Sequence, residues 1–310
     1  MSEAYLTFAR QDWLNFRMNQ PLTLTEKDLD QLQGQTEAIS LKEVSEIYMP
    51  LSRLLSLYVT AAQALHKASG DFLGTPEPKV PYIIGVAGSV GVGKSTTSRV
   101  LKALLSRWPN HPRVTVVTTD GFLLPNAILE KEGLMQRKGF PESYDIAALL
   151  QFLDEVKSGK TVLKAPVYSH QSYDILPNEF FEINKPDILI LEGLNILQTH
   201  THRPGQQSAL FVSDFFDFSI FVDANIDVIR KWYIDRVIKF SQTIFRNPDS
   251  YFYYLSKMHT KEIDQFAQRI WKEINEVNLL QNILPNRERA QLILKKAENH
   301  AVQEVKLRKL

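Results

Sequence analysis

The spacing of apolar positions changes along this chain, and the changes mark out its elements. Residues 21–69 read as helical. Thr25-Glu26-Lys27-Asp28 opens a short helix, with Thr25 placed to cap it and an acidic residue three positions later. Ser40 caps a second, beginning Leu41-Lys42-Glu43-Val44. Pro50 starts a third, whose Leu51, Leu54, Leu55, Tyr58, Ala62 and Leu65 form a broad apolar stripe. Gly70, Gly74, Pro76, Pro78 and Pro81 then predict a linker. Beyond it, Tyr82-Ile83-Ile84-Gly85-Val86-Ala87, residues 114–119, 188–191 and 218–222 are short apolar runs, as buried strands should be. Between them Val100, Leu101, Leu104, Leu105 and Trp108 recur at helical spacing until Pro109. Ile146, Leu149, Leu150, Leu153 and Val156 mark another amphipathic helix, ending at Gly159. Strands alternating with helices predict an α/β fold with a mostly parallel sheet covered on both faces. From about Ile226 the chain reads as mostly helical, interrupted near Asn247-Pro248 and Pro285-Asn286.

Composition narrows the class. The 310 residues carry 44% hydrophobic and 23% charged side chains, ordinary for a globular protein. A formal net charge of +1 gives no electrostatic footprint for nucleic acid or an anionic membrane. Absence of cysteine excludes disulfides, thiolate metal sites and a cysteine nucleophile, and suits a reducing compartment. Met1-Ser2-Glu3-Ala4-Tyr5 lacks the basic and apolar regions of a signal peptide, and no apolar run reaches the ~18–20 residues of a membrane span. The expectation is a soluble cytoplasmic protein.

Chemistry enters with Gly88-Ser89-Val90-Gly91-Val92-Gly93-Lys94-Ser95, which fills G-x-x-x-x-G-K-[ST] and lies between a strand and a helix. Glycines there let consecutive N–H groups curl around a phosphate chain, and the following helix dipole points at the same anion. Lys94 adds a point charge for the β/γ-phosphates and Ser95 a hydroxyl for Mg²⁺, so the motif predicts a nucleoside triphosphate ligand on a P-loop NTPase fold. The expected organisation is one globular unit, with a helical N-terminal segment, 1–80, packed on a P-loop kinase domain, 81–310, that ends in further helices.

Ligands of open parallel sheets lie beyond the carboxyl ends of the strands. There the sequence has Asp120-Gly121-Phe122, Glu192-Gly193-Leu194-Asn195 and Asp223. Asp120, with Gly121 permitting close approach, is the candidate to orient an acceptor hydroxyl and collect its proton, and Glu192 the candidate to hold Mg²⁺; the two assignments are exchangeable at this level. Asp223 reads better as a helix cap. Tyr168, His170 and Tyr173, within Pro166–Asp174, are suited to hydrogen-bonding a small polar substrate, or to a satisfied surface loop. Arg236 stands within an otherwise aromatic helical stretch, residues 232–240, where a guanidinium fork suits a transferring phosphoryl group or a carboxylate. Aromatics continuing through Phe245 and Tyr251-Phe252-Tyr253-Tyr254 fit an apolar lid.

Together these segments resemble bacterial type I pantothenate kinase, from about Leu41 to the C-terminus. The resemblance is carried by residues 47–55, Gly88–Thr97, Thr118-Thr119-Asp120-Gly121-Phe122-Leu123, residues 138–145, Ala165–His170, Leu191–Asn195, Val212–Phe215, Trp271–Asn275, Asn282–Pro285 and Arg287–Ala290. It implies transfer of the ATP γ-phosphate to the primary hydroxyl of pantothenate, giving 4′-phosphopantothenate and ADP, the first step of coenzyme A biosynthesis. By that resemblance Asp120 meets the hydroxyl, Lys94 and Ser95 through Thr96 hold phosphate and Mg²⁺, and Tyr168, His170, Tyr173, Tyr233, Arg236 and Asn275 line the pantothenate site with Phe240 and Phe252 as its apolar part. It further implies feedback inhibition by coenzyme A involving Arg99, His170 and Phe240, a homodimer, and Lys296 and His300, in a last helix, near the adenine. Gly91 departs from the family's alanine, a change that a flexible loop tolerates. The rival readings are a uridine kinase or phosphoribulokinase relative, for which a sugar phosphate should call for more arginines, and a nucleotide-dependent switch, which the lack of an N-K-x-D motif disfavours.

Overall fold

The computed structural model describes residues 4–34, 39–74, 79–108, 113–199 and 210–309. Pro76, Pro78, Pro109 and the leading Met1-Ser2-Glu3 of the sequence reading lie outside them. The four apolar runs form parallel strands β2 (Tyr82–Gly88), β3 (Val114–Thr118), β6 (Ile188–Gly193) and β7 (Phe218–Asp223), and β8 (Leu292–Lys296) joins them in parallel beside β7. Two antiparallel strands, β9 (Val302–Arg308) and β1 (Tyr5–Ala9), extend the β8 edge, so the sheet order is β1-β9-β8-β7-β2-β6-β3. β2 lies centrally, every residue buried, between β6 and β7. Apart from this sheet, β4 (Val162–Ser169) and β5 (Asp174–Asn184) form an antiparallel hairpin with an irregularity between Pro166 and Tyr168.

Helices cover the sheet with the faces that the periodicity marked. In α2 (Lys94–Leu105), Val100, Leu101, Leu104 and Leu105 are buried, as are Leu149, Leu153 and Val156 of α3 (Ile146–Lys157). Thr25 makes the expected capping box with Asp28, and the Ser40 side chain accepts from the Glu43 N–H. Further along come α4 (Ile226–Gln242) and α5 (Thr260–Ile270), then Trp271–Ile283, which is largely π-helical.

Three readings need correction. The linker begins later than Gly70: α1 (Met49–Leu73) runs through a buried Gly70 and stops at Gly74, whose φ of 67° makes the left-handed C-terminal turn. An interior glycine costs only about 1 kcal/mol relative to alanine, too little to break a packed helix. On the same helix Leu51 and Leu55 are buried, but Leu65 lies exposed. Lastly, Lys296 and His300 are on no helix. Lys296 ends β8, and His300 (φ 65°) sits in the turn to β9. Leu292-Ile293-Leu294 is a short apolar run whose periodicity does not separate strand from helix, and burial between β7 and β9 decides it.

Candidate active site

β2 delivers the glycine-rich loop and α2 leaves it, with Gly93 (φ 99°) as the first turn's left-handed entry. Gly91 has a φ of 74°, a conformation that glycine adopts without a Cβ penalty. The Lys94 ammonium folds back to donate to the Ser89 carbonyl at 2.8 Å. Lys296 donates to the Val92 carbonyl at 3.0 Å from behind the loop. Its neighbour His300 stacks on Trp232 of α4 at 4.0 Å and 18°. Lys296 thus meets the loop from a strand end, while His300, in the turn, packs on Trp232, whose ring also faces Lys296. Arg99, on α2, donates from Nε to the Leu32 carbonyl at 2.7 Å, and an added Cβ at Gly34 would lie 3.6 Å from the Thr96 hydroxyl.

Beside the loop, Val86 of β2 pairs with Glu192 of β6. The Ser95 hydroxyl donates to Glu192 Oε1 at 2.7 Å, while Oε2 is buried with no hydrogen-bond partner among the described residues. An orphaned carboxylate oxygen next to a hydroxyl is a donor set that fits a hard cation. Among the described residues no group of three or more His, Asp or Glu is arranged for a metal, so a cation held here would need other ligands, such as phosphate and water.

Asp120 lies in the 3₁₀ turn Thr119–Phe122 that follows β3. Gly121 is what lets the hairpin reach it, because a Cβ there would fall 2.2 Å from the Pro166 carbonyl oxygen. Although part of the residue remains open, its carboxyl is enclosed, and desolvation raises its pKa. His170 and then Lys94 pull the pKa back down, Glu192 pushes it up, and Lys138 pulls it down. Those four groups therefore share one electrostatic site with Asp120. Tyr168, Tyr173 and Tyr144 feel its charge, and burial raises the pKa of these three and of Tyr233, so all four stay protonated donors near neutral pH.

Tyr173, at a φ of 55°, is the hub of the aromatic wall. Its ring lies 4.8 Å from Phe252, 5.2 Å from Tyr251 and 6.4 Å from Tyr168, which in turn is 5.2 Å from His170. Phe252 continues through Phe245 to Phe240 of α4, over which Arg236 lies at 4.9 Å. Tyr233, one turn earlier, hydrogen-bonds Asn275 and lies near Gly91. The wall thus joins α4, the loop after it and the hairpin, and meets the phosphate loop where Tyr233 lies against Gly91.

Asp223 is a correction: the cap of α4 is Asn225, whose side chain accepts from the Asp227 N–H at 3.0 Å. The Asp223 carboxylate instead takes Arg287 at 3.2 Å, and burial raises its pKa. Sequence reasoning missed Lys138, Tyr144 and Trp232 as site residues. Lys138 donates to Asn126 Oδ1 at 2.6 Å and to the Tyr173 carbonyl at 2.5 Å, and lies 4.1 Å above the Tyr173 ring. Desolvation brings its pKa down to about 8, against the pull of Asp174 and Asp120.

The strand–loop–helix and the acidic residues at the carboxyl ends of the strands define a P-loop kinase, and residues 83–240 match the phosphoribulokinase / uridine kinase family. The solved YGR205w protein has the same fold, with a TM-score of 0.53 at 17% identity over 82% of this chain and 99% of that one. Closer relatives narrow the class. The chain is 64% identical over 306 residues to the pantothenate kinase of Coxiella burnetii, covering 99% of this chain and 96% of the relative. It is 54% identical to that of Brevibacillus brevis over 312 residues, 100% and 98% of the two chains. The chain belongs to the pantothenate kinase family and is an ATP-dependent kinase.

Proposed function

We propose that this chain transfers the γ-phosphate of ATP to the primary hydroxyl of pantothenate, giving 4′-phosphopantothenate and ADP at the start of coenzyme A biosynthesis. The observation that carries the reading is Asp120. A carboxylate with a raised pKa, flanked by His170, Lys94 and Lys138, opens onto a space lined by phenols and aromatic rings beside the phosphate loop. Desolvation makes Asp120 a better proton acceptor than an ordinary aspartate. It receives the hydroxyl hydrogen bond, aligns the oxygen on the γ-phosphorus, and takes the proton as the new P–O bond forms and the bond to ADP breaks. Lys94 leaves the Ser89 carbonyl for the β/γ-phosphates. Arg236 steadies charge on the transferring group. Tyr168, Tyr173, His170, Tyr233 and Asn275 hold the polar atoms of pantothenate, while Phe240 and Phe252 pack against its gem-dimethyl group.

Ser95 and Glu192 hold Mg²⁺ in this reading, their orphaned oxygen being the support for it. When bound, the ion neutralises charge on the β- and γ-phosphate oxygens. Lys296 and His300, gathered on Trp232 behind the loop, serve the adenine side. Coenzyme A competes with ATP and engages Arg99, His170 and Phe240. Residues 1–80 and the kinase domain, 81–310, act as one unit, supported by the pairing of β1 with β9. The protein works in the cytoplasm as a homodimer; among the described residues no helix is long and apolar enough to cross a membrane.

The test offers Mg-ATP with pantothenate, uridine or ribulose 5-phosphate and follows ADP release. Turnover should require pantothenate, and Asp120→Ala should abolish it while ATP binding stays within about threefold of wild type. Lost ATP binding in that variant, or preference for another acceptor, would overturn the assignment.

A further inference from the structure

Asparagines recur at 275, 278, 282 and 286, and the last three are buried. The Asn278 amide donates to the Gly139 carbonyl at 2.8 Å, and Asn195, from the segment after β6, donates to the same oxygen at 2.8 Å. Asn282 donates to Asn278 Oδ1 at 2.8 Å, which fixes the amide's orientation, and Asn286 donates to the Asn282 carbonyl at 2.8 Å. The Gly139 N–H is held as well, donating to Ser143 Oγ at 2.9 Å. Gly139 is therefore held through both of its flanking peptide units, its N–H by Ser143 and its carbonyl by Asn278 and Asn195. It directly follows Lys138, whose ammonium meets Asn126, the Tyr173 carbonyl and the field of Asp120.

Filling a buried carbonyl needs one donor, and two amides with a third orienting one of them exceed that need. The same helical stretch carries Asn275, which bonds Tyr233, so it ties α4 to the segment around Lys138. We propose that Asn278, with Asn195, is a positioning residue that clamps the Gly139 carbonyl and thereby holds the Lys138 ammonium between Tyr173 and Asp120.

The inference rests on the acceptor reading above, and a double-mutant cycle separates the two. In the full chain, Asn278→Ala should lower kcat/KM for pantothenate by at least tenfold while KM for ATP stays within twofold. Added to Lys138→Ala, the same change should cost less than threefold more, because the clamp has nothing left to place. Asn195→Ala, at a half-buried position, repeats the cycle where Asn278→Ala folds poorly. Losses that simply multiply in the Lys138→Ala background, or a rise in KM for ATP equal to the loss with pantothenate, would mark a merely structural amide and overturn the clamp. Wild-type protein inert toward pantothenate would overturn both readings; an active wild type with multiplying losses overturns the clamp alone.

Discussion

Gly121→Ala tests how the acceptor half of the site is assembled. Its Cβ would meet the Pro166 carbonyl oxygen at 2.2 Å and the carbonyl carbon at 3.1 Å, both backbone atoms that no side-chain rotation can move. Restoring an ordinary contact requires a relative shift of about 1 Å between the Asp120 turn and β4, which carries Tyr168 toward His170. Overpacking of this kind costs about 1–3 kcal/mol, which a folded domain of this size survives. Catalysis is less forgiving, since a misplacement of about 1 Å costs on the order of 10²-fold. The phosphate loop is untouched. The expected result is a roughly hundredfold loss of kcat/KM for pantothenate, followed by ADP release. ATP affinity by calorimetry should stay within about twofold and the circular-dichroism spectrum should be that of wild type. Full activity would show that the close contact does not set the Asp120 geometry. A parallel loss of ATP affinity would show that the damage spreads beyond the acceptor side.

Other expectations follow from the same geometry. Glu192→Gln keeps the volume and a hydrogen bond to Ser95 but removes the orphaned anionic oxygen, so the Mg²⁺ concentration for half-maximal rate should rise about 10- to 100-fold; an unchanged Mg²⁺ titration would remove Glu192 from the metal site. The pH profile should be a narrow bell. Asp120 must be ionised to accept a proton, and its pKa is raised, so activity falls on acidification at a pH above the usual carboxylate range. Lys138 must be charged, so activity also falls as pH rises through about 8. Lys138→Arg keeps its charge and should move the alkaline limb up by more than one unit, whereas a limb that stays in place belongs to another group.

Local features were legible in the sequence, and long-range ones were not. The glycine loop, its flanking strand and helix, and the Thr25 and Ser40 caps are each decided within a dozen residues, and the structure has them as read. Gly121 was readable as a point of close approach because glycine beside a candidate acid has few other reasons to be there. β8 and β9 are hidden in a stretch that reads as helix, because Leu292-Ile293-Leu294 fits either element and only its place beside β7 settles the matter. Lys138 was invisible as a site residue since its chemistry comes from Asp120, Asp174 and Tyr173, brought together by the fold. The asparagines at 278, 282 and 286 did leave a signal. Polar amides at successive four-residue intervals mark a seam that must be satisfied if it is buried.

The two halves of the site solve charge in opposite ways. On the nucleotide side the cations rest on neutral acceptors, Lys94 on the Ser89 carbonyl and Lys296 on that of Val92. Exchanging a neutral carbonyl for an anionic phosphate oxygen adds a charge–charge attraction to the ammonium's hydrogen bond, so the loop is held in readiness at little cost. On the acceptor side the order is reversed. Asp120 carries a desolvation penalty in the free protein that His170, Lys94 and Lys138 only partly offset. A triphosphate on the loop adds negative charge nearby and draws Lys94 toward itself, and both effects raise the carboxyl's proton affinity further. In the proposed reading Asp120 is thus a stronger base with nucleotide bound than without it, which is when a hydroxyl needs one. This coupling depends on enclosure. It therefore depends on the contact at Gly121 and on the position of Lys138, neither of which belongs to the phosphate loop.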